Sequence, residues 1–365
     1  MKKKIRVGII GVNVGSWATI AHIPALKALP DYEITAISNR NHDKAVNVSK
    51  LYDIPFIYAS NHDLINSPEV DVVVIAVKVA EHRALVTDAI NAGKIVFSEW
   101  PLGLNLEETK ELAELAKNKG IRTAIGLQSR AIPAVQYVKD LIKEGYVGEV
   151  LSTTLVGSGL IYTDQMEQKF AYTVDRKSGA GMIHSSFSHA MDFILDTLGE
   201  FSELNAVTAN RRKTTTIIET GEVLPMTAFD QIAVAGTLKS GAVMSAHYRA
   251  GMLKGTNFKW EITGTAGELL ITAPGGHPSV FPLTVHGSHG DDDMMKALEV
   301  PQKYYALPQG DLSTVAFNQA QYYAWLAKDI NEGTRLASTF EDAVIRYEMV
   351  NAIEVAGETG VRQHY

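Results

Sequence analysis

The chain reads as an α/β protein: a doubly wound parallel sheet comes first, then an α+β region on a large, mainly antiparallel sheet. Three observations carry that reading. Over the first third, short β-rich apolar runs alternate with helical segments of about 10–15 residues. A glycine turn, "GVNVG", follows the first of these runs, and beyond the first third two-residue alternation takes over until two helical stretches close the sequence. Runs that are apolar on both faces belong to parallel sheets covered on both sides, whereas alternation marks half-buried antiparallel strands.

Taken in order, "IRVGII" feeds "ATIAHIPALKAL", "YEITAIS" feeds "HDKAVNVSKLY", "DVVVIAV" feeds "HRALVTDAINAG", "KIVFSE" feeds "NLEETKELAELAKNKG", and "RTAIGL" ends the series at Leu127. A dinucleotide-binding Rossmann domain is expected over residues 1–127 and a substrate and oligomerisation domain over 128–365. The second begins with "AIPAVQYVKDLIKEGYVGEV", a helix closed by Gly145, and the strand "EVLSTTLVG". Strands follow in "ELNAVTANRRK", "DQIAVAGTLKSGAVMSAHYRAG", "NFKWEITGTAGELLITAP" and "PLTVHGS", with Lys-Ser-Gly and Thr-Ala-Gly at hairpin positions. The closing helices are "VAFNQAQYYAWLAKDINEG" and "TFEDAVIRYEMVNAIEVAGETG".

Composition removes several classes of function. The formal net charge is -7, and the only basic runs are the opening "MKKK" and "NRRK" at 210–213, so there is no footprint for direct nucleic-acid binding. With no cysteine, disulfides, thiolate nucleophiles and zinc–sulfur sites are excluded, which fits a reducing compartment. The first apolar run is too short for a membrane span and lacks a cleavage pattern, so a soluble cytoplasmic protein with no membrane partner is expected. "DDDMM" at 291–295 reads as a solvated loop, since it lacks the spaced glycine and terminal glutamate of a calcium loop, and no metal site is expected.

The candidate site residues gather at the strand ends. "VGIIGVNVGSW" places Gly8, Gly11 and Gly15 at the first strand-to-helix turn, where backbone N–H groups approach a pyrophosphate at a helix N-terminus. Asn13 stands where a second glycine is usual; Val14 and Trp17 complete the turn. The second strand ends "AISNRN" without the acidic residue that binds an adenosine ribose, and Ser38 with Arg40 suits a 2′-phosphate, so the cofactor is NAD or NADP. Ligands bind beyond the carboxyl ends of such strands, which nominates Val77, Lys78 and His82 after the fourth, Glu99 and Trp100 after the fifth, and Gln128 and Arg130 after the sixth. In the second region Tyr162 lies in "GSGLIYTDQ", Ser185 and His189 in "SGAGMIHSSFSHAMD", and His247 with Arg249 in "SAHYRAG". Such polar and aromatic groups suit a sugar-like small molecule, and arginine suits an acidic substituent.

With the glycine turn, the Glu-x-Pro of "SEWPLG" and "SGAGMIHSSFSHAMD", the chain resembles the glucose–fructose oxidoreductase, inositol dehydrogenase and rhizopine catabolism (Gfo/Idh/MocA) superfamily over nearly all its length. "GVNVGSWATIAHIPAL", "VKVAEH", "EWPLG" and "GLQSR" are most similar to the subgroup of the fungal galactose/lactose metabolism regulatory protein and its bacterial relatives. The resemblance implies an NAD(P)-dependent oxidoreductase acting on a carbohydrate or cyclitol hydroxyl, assembled as a homodimer or homotetramer through the face of the second sheet. The superfamily places a lysine where Trp100 stands and an aspartate where Ser185 stands; His189 is retained. Indole cannot titrate and serine is a poor base, so proton handling falls to His189, an imidazole that titrates near neutrality, with Lys78 as a cation from the neighbouring strand. Two other readings stay open: a cofactor-binding sensor without catalysis, and an NAD-dependent glycosidase that oxidises a sugar hydroxyl transiently.

Overall fold

Parallel pairing organises the first part of the chain. In the computed structural model, which describes residues 3–365 and so leaves Met1 and Lys2 of the opening basic run outside the described residues, six strands form one sheet. They are β1 (Ile5–Ile10), β2 (Tyr32–Ser38), β3 (Phe56–Tyr58), β4 (Val72–Ile75), β5 (Ile95–Ser98) and β6 (Thr123–Ile125), in the order β3-β2-β1-β4-β5-β6. The crossovers are α1 (Ile23–Lys27), α2 (His42–Tyr52), α3 (Asn61–Asn66), α4 (His82–Asn91) and α5 (Leu106–Lys119). Val7, Ile9, Val72, Val73, Val74 and Phe97 are fully buried, as strands covered on both faces require. Local signals set the helix ends. For α5, the Asn105 side chain accepts from the Glu108 N–H at 2.9 Å, glutamates fill the first turn and lysines the last, and Gly120 ends it in left-handed geometry.

The second sheet is mixed. After α6 (Pro133–Lys143) come β7 (Val150–Ser158), the short β8 (Gln165–Met166), and α7 (Ser188–Leu198). Then follow β9 (Phe201–Ala209), β10 (Thr214–Ile217), β11 (Val223–Pro225), β12 (Gln231–Leu238), β13 (Val243–Arg249), β14 (Phe258–Gly264), β15 (Gly267–Ala273), β16 (Thr284–His289) and β17 (Lys296–Ala297). Nine strands run in the order β17-β16-β15-β14-β7-β13-β12-β9-β18, where β18 is Gln363–His364; β7 and β13 pair parallel and the other neighbours antiparallel. One face packs on α7, whose Phe193 meets Trp260 at 5.4 Å and Phe258 at 6.3 Å between ring centroids.

The chain divides into two compact units, Met1–Ala131 with Ala306–Ile345 and Ile132–Tyr305 with Arg346–Tyr365. Here the structure departs from the expected boundary: α8 (Thr314–Glu332) lies in the first unit, because Tyr322, Tyr323 and Leu326 join the core cluster of Val7, Ile9 and Phe97. The last helix, α9 (Phe340–Thr359), starts in the first unit and ends in the second.

Candidate cofactor and substrate sites

The glycine turn of the first unit is held by its own hydrogen bonds. Asn13 donates its N–H to Ser16 Oγ at 3.2 Å, and its carbonyl accepts from Ser16 N–H at 3.0 Å and Thr19 Oγ1 at 2.9 Å. Gly11 has φ +96°, and a Cβ there would stand 2.6 Å from both Ala76 O and Val77 Cγ1. The glycine is therefore demanded by the approach of the β4 end, a reason the sequence pattern does not reveal. Gly15, at φ +77°, points into open space, and Val14 is exposed. A π-helical turn, Ala18–His22, follows and leads into α1.

His22, in that turn, was not among the expected site residues. It is fully buried, with Nδ1 2.6 Å from the Tyr323 hydroxyl and Nε2 3.1 Å from Glu99 Oε1. Glu99 thus stands within ion-pair reach of an imidazole whose other nitrogen meets α8, and Gly126 is the residue that leaves it room. At the end of β2, Ser38 is buried and its Oγ donates to Asn61 Oδ1 at 2.9 Å; Arg40 stays exposed and pairs with Glu81 at 3.0 Å.

β4 and β5 are neighbours, with Ile75 opposite Ser98, so Lys78 and Trp100 follow adjacent strand ends. Lys78 is exposed, Trp100 is buried, and the Trp100–Pro101 bond is cis. His82 is buried between Pro101 O, 2.9 Å from Nδ1, and Val77 O, 3.1 Å from Nε2; its neutral ring has one N–H and so donates to only one of these two carbonyls at a time. Burial lowers its pKa. Arg130 pairs with Asp342 at 2.8 Å.

The first unit fits a dinucleotide on two counts: the open Cβ direction at Gly15 and a set of buried polar atoms with no hydrogen-bond partner among the described residues. The latter include Trp17 Nε1, Gln128 Oε1, Glu99 Oε1, His22 Nε2 and both amide atoms of Gln319. Gln319 is fully buried on α8, which packs against the Ala18–His22 turn and the Gln128–Ala131 turn. It lies one helical turn before Tyr323, on the same face. Amide-bearing rings offer the donors and acceptors these atoms lack.

In the second unit, a π-helical turn, Ile183–Phe187, precedes α7 and is broken at Ser185 with φ -103° and ψ -107°. Ser186 N–H donates to Ser185 Oγ at 2.6 Å, Ser185 Oγ lies 2.8 Å from the Tyr162 hydroxyl, and that hydroxyl donates to Ala180 O at 3.1 Å. Read as one donor chain, the Ser185 proton is committed to Tyr162. Tyr162 sits at φ +73°, a strained conformation for a bulky residue, and burial holds its phenol well above the ordinary range.

His189 is buried on α7 beside His277, which the sequence reading missed; their ring centroids are 4.7 Å apart at 40°. The only signal for His277 was the Gly-Gly before it. Nearby His184 is pushed down to about 4 by burial and then by Arg176. His247 and Arg249 lie elsewhere: they share the outer face of β13, while Tyr248 between them points inward to Phe187 at 5.5 Å. Arg249 donates to Thr256 O at 3.0 Å. The 291–295 loop is exposed or half-buried, with Asp292 bonded to Lys296, and among the described residues no three His, Asp or Glu side chains gather as a metal would need.

Comparison with known proteins matches both units. Residues 5–127 match the family described as "Oxidoreductase family, NAD-binding Rossmann fold", and residues 133–273 match "Gal80p, C-terminal domain". Dehydrogenase aclE of Aspergillus oryzae is 29% identical, with 99% of this chain and 98% of that protein covered. The galactose/lactose metabolism regulatory protein GAL80 of Saccharomyces cerevisiae is 27% identical over 78% of this chain and 70% of its own. Among solved structures, a super-repressor mutant of the yeast Gal80p superposes with a TM-score of 0.89 at 23% identity, covering 99% and 98% of the two chains. Levoglucosan dehydrogenase in complex with NADH and levoglucosan superposes with a TM-score of 0.86 at 21% identity, covering 99% of each. The chain belongs to the Gfo/Idh/MocA oxidoreductase superfamily, in the branch whose second half is of the Gal80p type.

Proposed function

We propose that the protein is an NAD(P)-dependent oxidoreductase acting on a hydroxyl of a carbohydrate or cyclitol. The observation that carries this reading is the buried imidazole of His189, kept beside a second imidazole although the superfamily's lysine and aspartate are gone. Bound nicotinamide supplies the hydride acceptor. Gly11, Asn13, Val14, Gly15 and Trp17 hold the pyrophosphate, Ser38 and Arg40 the adenosine ribose or its 2′-phosphate, and Val77, His82, Glu99 and Gln128 the nicotinamide end. His189 takes the hydroxyl proton, Lys78 lowers the cost of negative charge on that oxygen, and Trp100 offers a flat apolar surface to the sugar ring. Tyr162 and Ser185 shape the substrate side through their hydroxyl chain, and Arg130 meets an acidic substituent.

The assay is turnover: purified protein with NAD or NADP and a panel of sugars and cyclitols, followed by the absorbance of reduced nicotinamide. Reduction with at least one of them is expected. A second reading, a cofactor-binding regulator, is favoured by Trp100, which cannot exchange a proton; it predicts cofactor binding without turnover and a co-purifying protein partner. The outer face of the second sheet leaves Val207 and Val243 69% and 60% exposed, which supports assembly as a homodimer or dimer of dimers. A concentration-independent monomer mass by light scattering contradicts that assembly.

A further inference from the structure

We propose that His277 contacts the substrate and selects for two adjacent ring hydroxyls, the one His189 deprotonates and its neighbour; the proposal rests on the oxidoreductase reading above. The loop between β15 and β16 is pinned so as to present this ring. The Tyr248 hydroxyl donates to Gly276 O at 2.7 Å, and any side chain at Gly276 would overlap the Ser158 main chain. The His277 carbonyl accepts from Val280 N–H at 3.0 Å and Phe281 N–H at 3.3 Å.

For all that fixing, the imidazole Nδ1 is buried and has no hydrogen-bond partner among the described residues. A buried polar atom left so is destabilising, so its retention calls for a function. The ring lies 4.7 Å from that of His189 and inclined by 40°. Beside the ring that takes the reacting hydroxyl's proton, an imidazole with an unmet nitrogen suits the hydroxyl next to it. Burial, with His189 alongside, pushes His277 well below the ordinary imidazole range, so its lone pair stays available at neutral pH. A substrate without that neighbouring hydroxyl leaves His277 Nδ1 unmet.

The test uses the full-length protein with its nicotinamide cofactor and three probes, D-glucose, levoglucosan and myo-inositol, each with monodeoxy counterparts lacking one hydroxyl beside the oxidised position. Wild type is expected to discriminate in kcat/KM between parent and deoxy forms. His277→Ala should lose roughly 10–100-fold on the parent and little on the deoxy form, with cofactor Kd unchanged, and His277→Asn, which keeps a polar group near Nδ1, should recover part of the loss. Equal losses on both forms, or none on either, overturn the proposal. If His277→Ala does not fold, a wild type that treats parent and deoxy forms alike overturns it without any variant. Turnover without such discrimination removes the His277 assignment alone, whereas turnover of none of the probes removes the oxidoreductase reading and this proposal with it.

Discussion

Replacing Gln319 by leucine probes the cofactor assignment through stability and affinity at once. The side chain is fully buried on α8 and neither amide atom has a partner among the described residues. An unpaired buried polar group costs about 1–3 kcal/mol, and an apolar side chain of similar shape removes that cost. Gln319→Leu is therefore expected to stabilise the cofactor-free protein by about 1–3 kcal/mol, a rise in Tm of roughly 2–12 °C at about 2–4 °C per kcal/mol for a unit of this size. The same amide would give two hydrogen bonds to a nicotinamide carboxamide at about 0.5–1.5 kcal/mol each, so Kd for NAD(P)H should rise roughly 5–150-fold. Scanning calorimetry of the cofactor-free protein and a fluorescence titration with NAD(P)H read the two effects. A variant less stable than wild type shows that the amide has a structural role, and an unchanged Kd shows that it meets no cofactor.

Three further outcomes are expected. His184 has its pKa lowered to about 4 in the folded protein by burial and Arg176, so the unfolded chain binds its proton first as pH falls. Stability should then be lost from about pH 6.5 down to about 4, by roughly 3 kcal/mol from this residue, and His184→Phe should flatten that part of the profile in denaturant melts; a slope unchanged by the substitution contradicts the assignment. Arg40 is exposed at the end of β2, so Arg40→Ala should weaken NADPH more than NADH in paired titrations; equal effects remove it from the 2′-phosphate. Tyr162→Phe breaks the donor chain from Ser185 to Ala180 O and should cost about 1–3 kcal/mol, read as a lowered Tm, and full wild-type stability contradicts the chain.

Much of the architecture was legible because it follows from local pattern. Short β-branched apolar runs such as "DVVVIAV", set between helical segments, point to a sheet covered on both faces, and the turn at Gly11 and Gly15 marks where the first strand meets a helix. What the pattern hides is long-range pairing. His22 and Tyr323 are 301 residues apart and meet at 2.6 Å, and nothing in "TIAHIPAL" points to α8. The same gap explains why α8 was assigned to the second region: an apolar helix face does not name its partner. At Gly11 the pattern suggested room for a phosphate, while the reason a side chain is excluded is the end of β4, which fills the Cβ direction. Strand alternation, by contrast, already placed Tyr248 opposite to His247 and Arg249, so their separation from His189 was readable in principle. His277 was not, since a Gly-Gly-His loop becomes informative only once Tyr248 and Ser158 are seen to hold it.

The most direct measurement compares wild type with His189→Ala on whichever sugar or cyclitol reduces the nicotinamide, reading kcat alongside cofactor Kd. For His189→Ala, kcat is expected to fall about 10²–10⁴-fold, the range for losing a general base, while Kd for NAD(P)H stays within about twofold. A variant that turns over at the wild-type rate contradicts it, because the remaining imidazole chemistry would then lie outside the step in which the hydroxyl loses its proton.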